Sequence, residues 1–96
     1  MPKRVRDRKL ISVNDASCFW VNNGPILRNL KDLRDALLTM SKETFRYHVN
    51  EEKNDFAVWV REVLKDTALA NKLAKVKTLK TAAKTVEKRL KEYGVL

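Results

Sequence analysis

Phe56, Trp59, Val60, Val63 and Leu64 recur at i, i+3, i+4, i+7 and i+8, the spacing that gathers five side chains on one side of a helix. A strand would divide them between two faces, so this segment folds usefully only as a helix. Asn54 stands where an N-cap belongs, just ahead of the stripe. Burying the five would contribute roughly 1.5–3 kcal/mol each. A chain of 96 residues with 44% hydrophobic content supports one modest core and not two. The remaining elements must therefore pack around this stripe.

Their starts are marked in the same way. Asn29 precedes LKDLRDALLTM, in which Leu30, Leu33, Leu37 and Met40 share a face. Ser41 opens a second helix carrying Phe45, His48 and Val49. Asp66 can cap TALANKLAKV, and Thr78 opens a last helix that runs to Tyr93, with Gly94 as its natural terminator. Upstream, Cys18 to Val21 reads as a strand, Asn22-Asn23-Gly24-Pro25 as a turn, and Ile26-Leu27 as a short return. Alternation along that strand puts one of Phe19 and Trp20 on the helices and leaves the other partly exposed. The expected fold is mainly α: a compact bundle of four to five short helices, a short N-terminal strand or hairpin, and a basic tail at residues 1–10. Residues 11–96 form the single domain.

The letters FRYHVNEEKNDFAVWVREVLKD carry a resemblance to a small, largely archaeal and bacterial family of uncharacterised domains. The similar block runs from about residue 19 to 73. It takes in Phe19-Trp20-Val21, the Asn-Gly turn, Leu27-Arg28-Asn29-Leu30, the helix from Leu33 to Leu37, Phe45, His48-Val49-Asn50, Glu51, Asn54-Asp55-Phe56 and Trp59. The resemblance implies no activity, substrate or catalytic residue. The basic first ten residues and the lysine-rich helix at about 78–93 fall outside that block.

Chemistry-bearing patterns are sparse. A single cysteine, Cys18, leaves no internal disulfide framework and no cysteine zinc site, and it reads as a small buried hydrophobe. There is no Gly-rich phosphate loop, Ser/His/Asp arrangement or Cys/His cluster, so catalysis and cofactors are not expected. His48, Glu51, Glu52 and Asp55 stand at i, i+3, i+4 and i+7, and an unbroken helix would align them as metal-ligand types. Asn50 and Asn54 argue for a break there, which would make the carboxylates first-turn groups and His48 part of a capping or hinge network. No apolar run approaches eighteen residues and no signal-peptide core is evident, so a soluble, cytoplasmic protein is expected. Two glycines, no glutamine and abundant Lys, Glu and Arg are compatible with a thermophilic source.

Charge distribution is more informative. The net charge is +9, with +4 on residues 1–10, zero on 11–40, −1 on 41–66 and +6 on 67–96. Basic ends around a neutral middle point to an acidic partner. At 100° per residue Lys77, Lys80, Lys84, Lys88 and Lys91 fall within roughly 80° of one another, opposite the apolar Leu79, Ala82, Ala83, Val86, Leu90 and Tyr93. Together with Lys3, Arg4, Arg6, Arg8 and Lys9 they form the candidate nucleic-acid-binding set. Lysines with flanking threonines hold phosphates and read few bases. The expectation is a non-catalytic phosphate-backbone binder, leaning to structured RNA and ribosome association. Chromosomal DNA is the rival, including a helix-turn-helix reading in which Lys42, Glu43, Arg46 and Tyr47 face outward. A helical module for an acidic protein partner is the alternative of another class. Membrane association is not expected, because the apolar face of the last helix is needed for the core.

Overall fold

Each helix begins where a short polar side chain takes over an unpaired backbone N–H. In the computed structural model, which describes residues 10–95, the elements run β1 (Phe19–Trp20), β2 (Ile26–Leu27), α1 (Leu30–Thr39), α2 (Lys42–His48), α3 (Asp55–Glu62), α4 (Thr67–Leu73) and α5 (Leu79–Tyr93). The caps are Asn29, Ser41, Asn54, Asp66 and Thr78, which accept from the N–H groups of Asp32, Thr44, Ala57, Leu69 and Thr81. All five are the residues read from the sequence. The fold is a mainly helical domain of five helices with a two-stranded antiparallel hairpin at its N-terminal side.

The hairpin pairs Phe19 with Leu27 and Trp20 with Ile26. Asn23 takes a positive φ of 56° in the turn, a conformation asparagine tolerates better than most residues. A Cβ on Gly24 would come within 2.7 Å of Val21 Cγ1, which makes glycine the fitting residue there. Phe19 turns inward against His48, Phe56 and Trp59, while Trp20 is 68% exposed. The Trp59 indole N–H donates to Ser17 O at 2.9 Å, fastening the chain before the hairpin to α3.

The core is one cluster to which α1, α3, α4 and α5 all contribute. Its innermost members include Leu27, Leu33, Phe56, Val60, Leu69, Leu73, Val86 and Leu90. Helix α1 lies against α5, α3 against α4, α4 also against α5, and β2 against α1. Leu10, at the edge of the described residues, also packs on the core. No helix among the described residues is long and apolar enough to cross a membrane.

Two helix ends, the place of Lys77 and the setting of Cys18 depart from expectation. Helix α3 stops at Glu62, so Val63 is its C-cap and Leu64 lies beyond it, although Leu64 is still buried. The chain turns there through Lys65 at φ 59°, and the Asp66 N–H reaches back to Val60 O at 3.1 Å. Helix α4 ends at Leu73, short of Val76. Lys77 precedes α5, because the cap Thr78 is extended at φ −127°, ψ 155°. Cys18 is partly exposed and its thiol donates to Asp15 O at 3.1 Å, so it closes a turn instead of filling the core.

Candidate nucleic-acid interface

Helix α5 is amphipathic in the sense its letters demand. Ala82, Ala83, Val86 and Leu90 are buried, Leu79 and Tyr93 partly so, and Lys80, Lys84, Lys88 and Lys91 are exposed. These four lysines share one face over about 16 Å, at ~1.5 Å per residue. Lys77 is exposed just ahead of the helix. The remaining candidates, Lys3, Arg4, Arg6, Arg8 and Lys9, lie outside the described residues.

What makes the lysine face distinctive is how the nearby acids are used. Glu87 meets Arg34 of α1 at 3.4 Å, and Glu92 meets Arg89 at 3.1 Å. Among the described residues none of Lys77, Lys80, Lys84, Lys88 and Lys91 takes part in an ion pair. Arginine and Lys53 hold the internal pairs, and the lysine face keeps its full charge. The flanking hydroxyls turn back on the helix: Thr81 donates to Thr78 O and Thr85 to Thr81 O. Such a face offers point charges and few groups able to read a base edge.

Surface clefts lined by described residues border the helices. One, of about 440 Å³, lies between α2 and the start of α5 and is lined by Lys42, Phe45, Arg46, Lys77, Thr78, Leu79 and Lys80. A smaller one of about 250 Å³, between α4 and α5, brings Lys72 and Lys88 beside Arg89 and Glu92. Another, about 620 Å³, runs from the hairpin turn to the α1–α2 corner and is lined mainly by uncharged residues, with Glu43 at its side.

Beneath the inner edge of α5 lies a network that the sequence reading missed. Asp66 is fully buried. Arg89 grips it with two donors, Nε to Oδ2 at 2.8 Å and Nη2 to Oδ1 at 3.0 Å, and the Tyr93 hydroxyl donates to Oδ2. The Leu69 N–H completes the set at 3.1 Å. Burial pushes the Asp66 carboxyl up, but the hydrogen bonds from Arg89, Tyr93 and Leu69 outweigh it and hold the group below the usual carboxylate value. Arg89 is shifted upward, first by its hydrogen bond to Asp66. One signal was present in the letters: Arg89 is the only arginine in a helix otherwise supplied with lysine, and Tyr93 follows it at i+4.

The metal-type alignment is broken by the chain itself. Helix α2 ends at His48 and α3 starts at Asp55, so Glu51 and Glu52 lie exposed in the connection. Only His48 and Asp55 come together, Nδ1 to Oδ2 at 3.0 Å. The Asn22 N–H donates to His48 Nε2 at 3.0 Å, which makes Nε2 the bare nitrogen and leaves Nδ1 to donate to Asp55. The buried ring thus joins the hairpin turn, α2 and the first residue of α3, as a hinge network should. Among the described residues no three metal-ligand side chains converge.

A hairpin and five capped helices, locked by a buried acid–arginine pair under one exposed lysine face, define a small helical domain of its own pattern. The chain belongs to a family of unknown function, DUF5752, which matches residues 8–92. That span is wider than the block from 19 to 73 and takes in α5, so the lysine-bearing helix is part of the family's domain. No curated protein and no solved structure matches the chain.

Proposed function

We propose that this protein is a non-catalytic nucleic-acid-binding protein that holds the phosphate backbone through the lysine face of α5 and the basic segment at residues 3–9. One observation carries the reading. Lys77, Lys80, Lys84, Lys88 and Lys91 stand exposed without ion pairs among the described residues, while the acids of the same helix are occupied by arginines. A lysine face of this kind gains affinity by releasing counterions from phosphate. Without side chains aimed at base edges, recognition rests on charge and shape. Structured RNA in the cytoplasm, the ribosome included, is the partner this reading favours, because a basic end on a small domain suits the gaps between closely set phosphates.

The DNA alternative would use the α1–α2 corner, where Lys42, Glu43, Arg46 and Tyr47 are exposed on α2. Helix α2 has only seven residues, and Glu43 would face phosphate. Recovery of the native protein from cell extract, with and without RNase and DNase, separates the readings. Loss of the associated material with RNase is the expected result. Loss with DNase alone transfers the function to DNA, and an associated acidic protein insensitive to both enzymes overturns nucleic-acid binding. With a labelled RNA hairpin, K80E/K84E/K88E should bind more weakly and reduce the slope of log affinity against log salt by about two to three, one contact per lysine. An unchanged slope would remove the lysine face from the interface.

A further inference from the structure

We infer that the cleft between α2 and the start of α5 is a phosphate seat, through which the nucleic-acid backbone passes from the lysine face of α5 onto α2. The inference rests on the nucleic-acid reading above and adds Lys42 and Arg46 to the contact surface.

Residues far apart in sequence meet there. Lys42 and Arg46, one helical turn apart on α2, face Lys77 and Lys80 across a cleft of about 440 Å³. No carboxylate of the described residues lines it. None of the four cationic side chains has an ion pair or hydrogen bond to another described residue. The cleft between α4 and α5 is different, because Glu92 lines it and the charge of Arg89 is committed to Asp66. Four like charges around a concavity repel one another until an anion enters. The apolar Phe45 and Leu79 in its wall lower the local dielectric and concentrate the field.

The residue types fit a phosphodiester. Arg46 carries a planar fork that can take two oxygens of one phosphate, and the lysines add point charges around it. The Thr78 hydroxyl is already engaged with the Thr81 N–H and hydroxyl, so the cations set the selectivity. Continuity favours a polymer over a single small anion. Lys80 belongs both to the cleft and to the face that continues through Lys84, Lys88 and Lys91, so a strand lying on that face leads into the cleft.

The test compares the full-length protein, K42E/R46E and K80E/K84E/K88E for binding to one labelled RNA hairpin across a salt series, with thermal melting as the fold control. Lys42 and Arg46 are exposed, so K42E/R46E should melt as the parent does. It should bind at least about tenfold more weakly at low salt, with a slope smaller by roughly 1.5–2, the loss of two phosphate contacts. Single Arg46→Lys should lose part of that affinity while keeping the slope. Parental binding by K42E/R46E, alongside weakened K80E/K84E/K88E, would overturn the cleft and leave the lysine face standing. Absence of RNA and DNA binding by the parent protein would overturn both. Inorganic pyrophosphate supplies the third arm: if it perturbs the amide spectra of residues 42–46 and 77–80 and RNA does not, the seat serves a small phosphate compound and the polymer inference falls.

Discussion

Asp66 performs two tasks through one carboxylate, and the tasks can be separated. As a cap it accepts from Leu69; as an anion it neutralises Arg89, whose side chain is itself mostly buried. Asp66→Asn keeps a good capping acceptor and removes the charge. Breaking a buried pair from one side leaves the other ion unmatched, so D66N should cost about 3–5 kcal/mol in urea unfolding, and Arg89→Met in the D66N background should recover part of it. A D66N loss below about 1 kcal/mol would show that the pair is dispensable. The pH dependence follows from the lowered carboxyl. Between the folded value and the unfolded value of about 3.9 the unfolded chain binds the extra proton, so stability rises with pH there. The parent's advantage over D66N should be complete above the unfolded value and fade as pH falls through the folded one.

Among the elements, all five starts were legible, and so was the stop of α5 at Tyr93, which Gly94 marks. Asn29, Ser41, Asn54, Asp66 and Thr78 each combine a side-chain acceptor with an apolar period that begins just afterwards, and both signals are local. The stops at Glu62 and Leu73 carry no such mark. Lys65, not glycine, takes the left-handed turn after α3, and packing of α4 on α3 and α5 decides where α4 yields. The lysine face was legible because a period is a property of one helix. The α2–α5 cleft and the Asp66–Arg89 grip were not, since each joins residues more than twenty positions apart. Asn54 shows how a local signal can understate a residue. Its Oδ1 accepts from Ala57 N–H at 3.0 Å, and its Nδ2 donates to Leu73 O at 2.9 Å, closing the end of α4. Asn54→Ala should therefore cost roughly 2–3 kcal/mol, the sum of a cap and a partly buried hydrogen bond, against about 1 for Ser41→Ala. Equal losses from the two variants in chemical denaturation would show that the bond to Leu73 contributes little.

The molecule as a whole keeps its charges in two populations. Arg28, Arg34, Lys53 and Arg89 are paired within the fold, whereas the lysines of α5 add to the net +9 with no ion pair among the described residues. Self-repulsion should then make the folded protein more stable at moderate salt than at low salt. K80E/K84E/K88E, which lowers the net charge by six units, should melt no lower than the parent at low salt. A midpoint several degrees lower would mean that those lysines hold the fold. The same separation governs how the lysine face can come and go. Helix α5 is anchored along α1 and clasped through Arg89 to the corner that starts α4, so it cannot lift away without stripping Asp66 of its partners. A fifteen-residue helix is marginal in water by itself. Amide protons of α4 and α5 should consequently exchange with solvent in one cooperative opening, and the lysine comb has no existence as a detached peptide: it assembles and dissolves with the domain.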